Sequence, residues 1–287
     1  MNFQRKPLPA GLYFVSTPIG SARDITLRAL DILASADVIA SEDTRTTRKL
    51  MDIHGIPLDG RKVIAHHDHS GPAAVQGLVD LVSSGKSLAY VSEAGTPLIA
   101  DPGFELGRAM AEAGLPVTAA PGPVAAVCAL SISGLSSDKF LFAGFLPSGK
   151  SQRDKALAEL RDLPFTIIFY ESPKRIQEML ASLADIMGPE RESAVCRELT
   201  KKFEEVRRGT IADLIEAFDG RTVKGEIVVL VGRKGAAQIE DVDVDAALRA
   251  AMQTMRLKDA ATAVSGALGL PRRQVYQRAL DMDKDAK

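Results

Sequence analysis

Three stretches of this chain place small, turn-forming residues just after an apolar run: Thr17-Pro18-Ile19-Gly20, Glu93-Ala94-Gly95-Thr96-Pro97, and Pro121-Gly122-Pro123-Val124-Ala125-Ala126. The second continues into Asp101-Pro102-Gly103. Small residues and glycine let backbone N–H groups approach a ligand closely, and a helix N-terminus favours a carboxylate or phosphate. Turn punctuation alone would explain any one of them. Three at the ends of strands imply one shared ligand cleft, because open α/β sheets bind ligands beyond the C-terminal ends of their strands. No G-x-G-x-x-G follows the first strand, which weakens an ordinary dinucleotide reading.

Charged groups cluster in the same way. Glu42-Asp43-Thr44-Arg45 leads into Arg48 and Lys49; Glu171-Ser172-Pro173-Lys174-Arg175 and Arg197-Glu198-Leu199-Thr200-Lys201-Lys202 repeat the pattern. Carboxylates suit the positive end of a helix, so a capped helix start with a solvated basic face explains each group singly. That all three follow expected strands favours an anionic substrate clamped between domains. Between Arg191 and Arg208 stand six basic and four acidic residues, a modest patch suited to a few phosphates rather than a long duplex.

His66-His67-Asp68-His69 holds three of the four histidines. Adjacent strand residues point to opposite faces, and no Cys or second carboxylate pair stands at ligand spacing, so no metal site is expected. His67 is better read as a strand-end group reaching the cleft. Without a G-x-S-x-G elbow, Ser/His/Asp hydrolysis is disfavoured. Cys128 and Cys196 read as reduced thiols in apolar surroundings.

These residues must be positioned by alternating strands and helices. Strands are expected at Leu12–Ser16, Asp37–Ala40, Lys62–Ala65, Ser87–Ser92 and Pro116–Ala119. Helical spacing covers Ile25–Ala34, capped by Asp24 or Thr26, then Thr44–Met51, Ala73–Ser83 and Phe104–Ala113. The alternation implies crossover units and a largely parallel sheet. A second set follows: strands Lys139–Ala143, Phe165–Tyr170, Ala194–Cys196, Glu204–Arg208 and Glu226–Val231, with helices at Leu157–Leu160, Ile176–Leu183 and Ile211–Phe218. The alternating charge of Glu204–Arg208 marks an edge strand. The domains are therefore expected at 1–123 and 124–235, with the boundary near a Val124–Ser133 helix. In the remainder, 236–287, acidic Ala236–Ala247 reads as a linker. A basic tail with two helices about Gly269-Leu270-Pro271 reads equally as a helix-turn-helix or a docked helical cap.

Composition sets the outer limits. The chain has 287 residues, 46% hydrophobic and 25% charged, with a net charge of −1, as a globular two-domain protein would. No 18-residue apolar run occurs, and Leu12–Val15 is too short for a signal-peptide core, so a cytoplasmic protein with no membrane association is expected.

Seven motifs in colinear order resemble one family: TPIG, SEDTR at 41–45, VSEAGTPLIADPG at 91–103, APGPVAA at 120–126, FYESPKR at 169–175, CRELTKKFEE at 196–205 and KGEIVVLV at 224–231. Together they are similar to ribosomal RNA small subunit methyltransferase I, within the tetrapyrrole methylase superfamily. The resemblance implies two α/β domains with a cofactor cleft between them, plus a small C-terminal helical module. It also implies S-adenosyl-L-methionine as cofactor, no metal, a homodimer, and 16S rRNA or the small ribosomal subunit as partner. The implied reaction is 2′-O-ribose methylation of a cytidine in the decoding centre. Glu93 stands where the family mostly has Asp, and Ser41 where Cys is common. Ser21-Ala22-Arg23 replaces Asn-Leu-Glu/Gly, and His66 and Ser70 replace Tyr and Asn.

On that resemblance, the cofactor's amino-acid end would meet Pro18, Glu93, Ala94, Gly95, Thr96, Pro97, Pro121, Gly122, Pro123 and Ala125. Its adenine requires an apolar slot, for which Tyr170, Leu199 and the strand opened by Glu226 are candidates. A sugar hydroxyl is a weak nucleophile, and Glu42, Asp43, Glu171, Glu198 and His67 are unranked candidates for the base that takes its proton. Arg45, Lys174, Arg175 and Lys201 are assigned to RNA phosphates. Two rivals remain open: a precorrin-type small-molecule methylase, and a non-catalytic RNA-binding ribosome assembly factor.

Overall fold

A computed structural model describes residues 2–67, 70–234 and 241–285. The chain divides into two compact units, Met1–Ile132 with Cys196–Glu205, and Ser133–Val195 with Val206–Lys287. The Val124–Ser133 segment, placed at the boundary by sequence, thus falls almost entirely in the first unit, as does the turn 196–205.

The first unit carries β1 (Gly11–Val15), α1 (Leu27–Ser35), β2 (Val38–Ser41), α2 (Thr44–Ile53), β3 (Val63–Ala65), α3 (Pro72–Ser83), β4 (Ser87–Val91), α4 (Phe104–Glu112), β5 (Val117–Ala120) and α5 (Ala125–Ser133). Its sheet is parallel throughout, in the order β3-β2-β4-β1-β5. Central β4, SLAYV, is buried along its whole length, as a strand covered on both faces must be. Its residues alternate between two cores. Ala89 and Val91 pack with Leu30, Leu33 and Met51 of α1 and α2, whereas Leu88 and Tyr90 pack with Leu78, Val82, Leu106 and Met110 of α3 and α4. Each fully buried Leu contributes about 2 kcal/mol of apolar transfer. Because β1 leads to α1 on one face and neighbouring β4 leads to α4 on the other, their C-terminal ends open a crevice at the switch point. Of the two candidate caps for α1, Thr26 does the work: its hydroxyl accepts the Ala29 N–H at 3.2 Å.

The second unit carries β6 (Phe140–Phe145), α6 (Lys150–Leu160), β7 (Thr166–Glu171), α7 (Ile176–Met187), β8 (Glu192–Arg197), β9 (Glu205–Thr210), α8 (Ile211–Phe218) and β10 (Ile227–Val231), in the sheet order β6-β7-β10-β8-β9. The charged strand is at the edge, as its sequence implied. Central β10, IVVLV, is wholly buried and runs antiparallel to β7. Helix α6 begins seven residues earlier than expected from its apolar spacing. The extra turns are polar, and a Lys150–Asp154 pair at 2.8 Å supports them.

Beyond β10, α9 (Asp241–Met252), α10 (Leu257–Leu268) and α11 (Arg272–Asp285) share a small core of Val244, Leu248, Ala261, Val264, Val275 and Ala279. This corrects the linker expected at Ala236–Ala247. Residues 236–240 lie outside the described residues, but 241–247 are helical. Val244 and Leu248 recur four apart on the buried side, and Asp245 pairs with Arg278 of α11 at 2.7 Å. Gly269, left-handed at φ +66°, ends α10 where the turn was expected.

Candidate active site

β1 and β4 lie side by side and end level, with Val15 opposite Val91. Each strand is closed by buried hydroxyls: Ser16 and Thr17 on one, Ser92 on the other. Thr17 and Gly95 exchange both backbone hydrogen bonds, at 2.8 and 3.0 Å. The Ser92 hydroxyl donates to the Gly95 carbonyl at 2.6 Å, and the Thr17 hydroxyl donates to the Ser92 carbonyl at 3.3 Å. Gly95 holds φ +84°, a left-handed conformation that suits glycine.

A second clasp joins the β5 loop. The Thr96 hydroxyl donates to the Pro123 carbonyl at 3.0 Å and lies 3.0 Å from the Ser16 hydroxyl. With the Thr96 proton spent on Pro123, Ser16 is the donor of that pair. The loop approaches so closely that a Cβ on Gly122 would stand 2.5 Å from the Ser16 Cβ. All three candidate loops are therefore one hydrogen-bonded assembly. Pro97 is buried, Pro18, Thr96, Gly122, Pro123 and Ala125 are half-buried, and Glu93, Ala94 and Pro121 are exposed.

The turn Glu198–Lys201 belongs to the same unit and seats against the β1 loop. The Ser21 N–H donates to the Thr200 hydroxyl at 3.0 Å, and a Cβ on Gly20 would meet the Leu199 carbonyl at 2.9 Å. Leu199 is buried there. Glu198 accepts from the Lys201 ammonium at 2.9 Å, so both candidates hold each other.

At the end of β2, Asp43 caps α2 by accepting the Arg45 and Thr46 N–H groups at 2.7 and 3.4 Å, and it also pairs with the Arg45 guanidinium at 3.1 Å. The Arg45 hydrogen bonds hold the Asp43 carboxyl below the usual range. Arg45 is raised in turn, by Asp43 first and by the charge of Glu93 to a smaller degree. Glu42 is half-buried beside it. His67 is exposed after β3, its N–H donating to the Ser70 hydroxyl at 2.9 Å. His66 is buried, and Asp68 and His69 lie outside the described residues. Among the described residues no group of three His, Cys, Asp or Glu could hold a metal ion.

The remaining candidates lie in the second unit, at the shared end of β7 and β10, where Tyr170 faces Val228 and Glu171 faces Ile227. Tyr170 is half-buried, edge-on to Phe142 and Phe145 at centroid distances of 4.9 and 5.7 Å. Glu226 is exposed just before β10. Glu171 is buried with both oxygens engaged, one accepting the Ser172 N–H at 2.6 Å and the other the Arg175 guanidinium at 2.9 Å. Arg175 also donates to the Leu146 carbonyl at 2.8 Å. These two candidates thus form an internal ion pair, while Lys174 between them is exposed.

Sequence reasoning passed over Ser16 and Ser92 and read Thr17 only as the opening of its loop. The available signal was the Val-Ser ending shared by β1 and β4, since a hydroxyl closing a buried apolar strand must find a partner.

Comparisons with known proteins follow the same division. Residues 11–215 match the family described as Tetrapyrrole (Corrin/Porphyrin) Methylases, and residues 238–283 match the RsmI C-terminal HTH domain. A Mesorhizobium japonicum protein named Ribosomal RNA small subunit methyltransferase I is 44% identical over 96% of this chain and 94% of its own. A Vibrio cholerae protein of the same name is 45% identical, covering 96% and 97%. Among solved structures, a cobalt precorrin-4 methyltransferase superposes with a TM-score of 0.59 at 19% identity, over 77% of this chain and 94% of that one. A uroporphyrin-III C-methyltransferase from Thermus thermophilus, complexed with S-adenyl homocysteine, gives 0.55 at 16% identity, over 77% and 97%. At such identities the two structures share the fold.

Proposed function

Because the chain belongs to the ribosomal RNA small subunit methyltransferase I family of the tetrapyrrole methylases, we propose that it methylates small-subunit rRNA from S-adenosyl-L-methionine. The proposed acceptor is the ribose 2′-hydroxyl of a cytidine in the decoding centre of 16S rRNA, in the cytoplasm. The observation that carries this reading is the clasped set of loops at the β1–β4 switch point, in a chain matched along almost its whole length by relatives of that name.

The residues present suit the cofactor. Gly122 and Gly95 bring bare backbone to the crevice, where Cβ atoms would crowd Ser16 or approach Ile19 and Pro123. The loop Pro121–Ala125 ends at the start of α5, an environment that favours a carboxylate. We assign the amino-acid end of the cofactor to Gly95, Thr96, Pro97 and the Pro121–Ala125 backbone, and its apolar contacts to Leu199. When bound, the sulfonium supplies an already activated methyl group. What the chain adds is alignment, which in well-oriented reactions supplies about 7–11 kcal/mol of the barrier.

Of the five candidate bases, Asp43, Glu171 and Glu198 are engaged with Arg45, Arg175 and Lys201. All five, with Glu42 and His67 at the ends of β2 and β3, are proposed as acceptors of the ribose proton, separable by Glu42→Gln, Asp43→Asn, Glu171→Gln, Glu198→Gln and His67→Asn under single turnover. Arg45 and Lys174 are the proposed phosphate contacts. A homodimer is also part of this reading, with exposed Val117 on β5 and Val127 and Ile132 on α5 as its apolar surface.

The test is to map ribose methylation in rRNA from cells with and without the gene, and to titrate the protein with S-adenosylhomocysteine. One decoding-centre cytidine should lose its methyl group in the deletion, and the product should bind. Label entering a porphyrinoid, or RNA binding without product binding, would overturn the reading.

A further inference from the structure

Phe203 is 63% exposed in the turn between β8 and β9, although an aromatic ring gains most from leaving water. The turn that carries it is neither loose nor ordinary. Glu198 and Thr200 both hold left-handed conformations, at φ +52° and +65°, and a β-branched residue rarely enters that region. Such strain persists only where surrounding contacts over-determine it, and it concentrates at functional sites. Here the contacts are explicit. Thr200 donates its N–H to the Glu204 carboxylate at 2.6 Å and accepts from Ser21 on the β1 loop, and Lys201 and Glu198 pair. The Lys202 ammonium lies 5.5 Å from the Phe203 ring centroid.

An exposed ring on a braced turn that packs against the β1 loop, with a cation against it, complements a partner that is aromatic and anionic at once. We propose that Phe203 is a stacking platform for an unpaired nucleobase of the acceptor RNA strand, with Lys202 meeting the adjoining phosphate. This rests on RNA methyl transfer being the chain's reaction. Sequence-specific RNA recognition works largely on splayed bases stacked on aromatic side chains, and a prepositioned Phe loses little freedom on binding. A ring so held would fix the base while leaving the sugar edge toward the loops that Thr200 touches.

The experiment compares Phe203→Ala, Phe203→Leu and Phe203→Tyr in the full chain. Its probe is small ribosomal subunits from cells lacking the gene, with labelled S-adenosylmethionine. Ala and Leu should both raise the subunit KM by roughly 10–100-fold, the range of one base–aromatic stack, while Tyr stays within about threefold. Affinity for S-adenosylhomocysteine and sedimentation should not change. An unaltered KM in the Ala variant, or a Leu variant as good as Tyr, would overturn the proposal. So would a changed oligomeric state, which would make Phe203 a contact between copies. Failure of the wild type to label RNA would instead overturn the functional reading beneath it.

Discussion

Gly122 and Ser16, more than a hundred residues apart in the chain, meet so closely that a methyl group on the glycine would overlap the serine Cβ at 2.5 Å. Relief requires the β5 loop to move, because Ser16 is buried and bonded to Thr96. Gly122→Ala should therefore weaken S-adenosylhomocysteine binding by about tenfold or more, given overpacking costs of about 1–3 kcal/mol. Gly77→Ala, on the exposed side of α3 with open space around it, is the control and should leave binding intact. Calorimetric titration of both variants checks this.

Ser92→Ala removes the hydroxyl that donates to the Gly95 carbonyl inside the first clasp. A buried hydrogen bond of this kind is worth about 1 kcal/mol, so the melting temperature should fall by about 2–4 °C. Product affinity should fall with it, because the same bond shapes the loop. A Tm drop with unchanged affinity would show that the loop is held by the Thr17–Gly95 pair alone.

Arg175 and Lys174 are neighbours with opposite expectations. Arg175→Ala leaves the buried Glu171 carboxylate without its guanidinium and should destabilise the protein by about 3–5 kcal/mol in urea unfolding. Glu171→Gln combined with Arg175→Met should recover much of that loss. Lys174→Ala should not alter stability, but should lower the slope of log K against log salt for RNA binding by about one.

Acid sensitivity should appear at α8. Asp213 accepts the Thr210 N–H and hydroxyl, both at 2.8 Å, and these bonds hold its carboxyl below the usual range. A folded-state pKa below the unfolded one adds stability above the unfolded value near 4 and loses it as pH falls through the folded value. The urea midpoint of Asp213→Asn should therefore lie below wild type at pH 7, and the two should converge as the pH falls through the lowered folded-state value.

Much of this protein is written locally. The apolar runs of β4 and β10 read as strands, the Gly- and Pro-rich segments as their turns, and seven ordered motifs carried the family. Helix spacing located α1 to α4 for the same reason, since a period of 3.6 is a property of neighbouring residues. Helix α9 was missed because acidic composition was weighed above the four-residue recurrence of Val244 and Leu248.

What the tertiary structure alone decided is which groups meet. Thr17 reaches Ser92 across 75 positions and Ser21 reaches Thr200 across 179, because the sheet order sets β4 beside β1 and the turn 198–201 against Gly20. It also paired Glu171, a prospective base, with Arg175, a prospective phosphate contact. Hydrogen bonding is short-ranged and directional, so a residue's type limits what it can do, and only the assembled sheet selects the partner with which it does it.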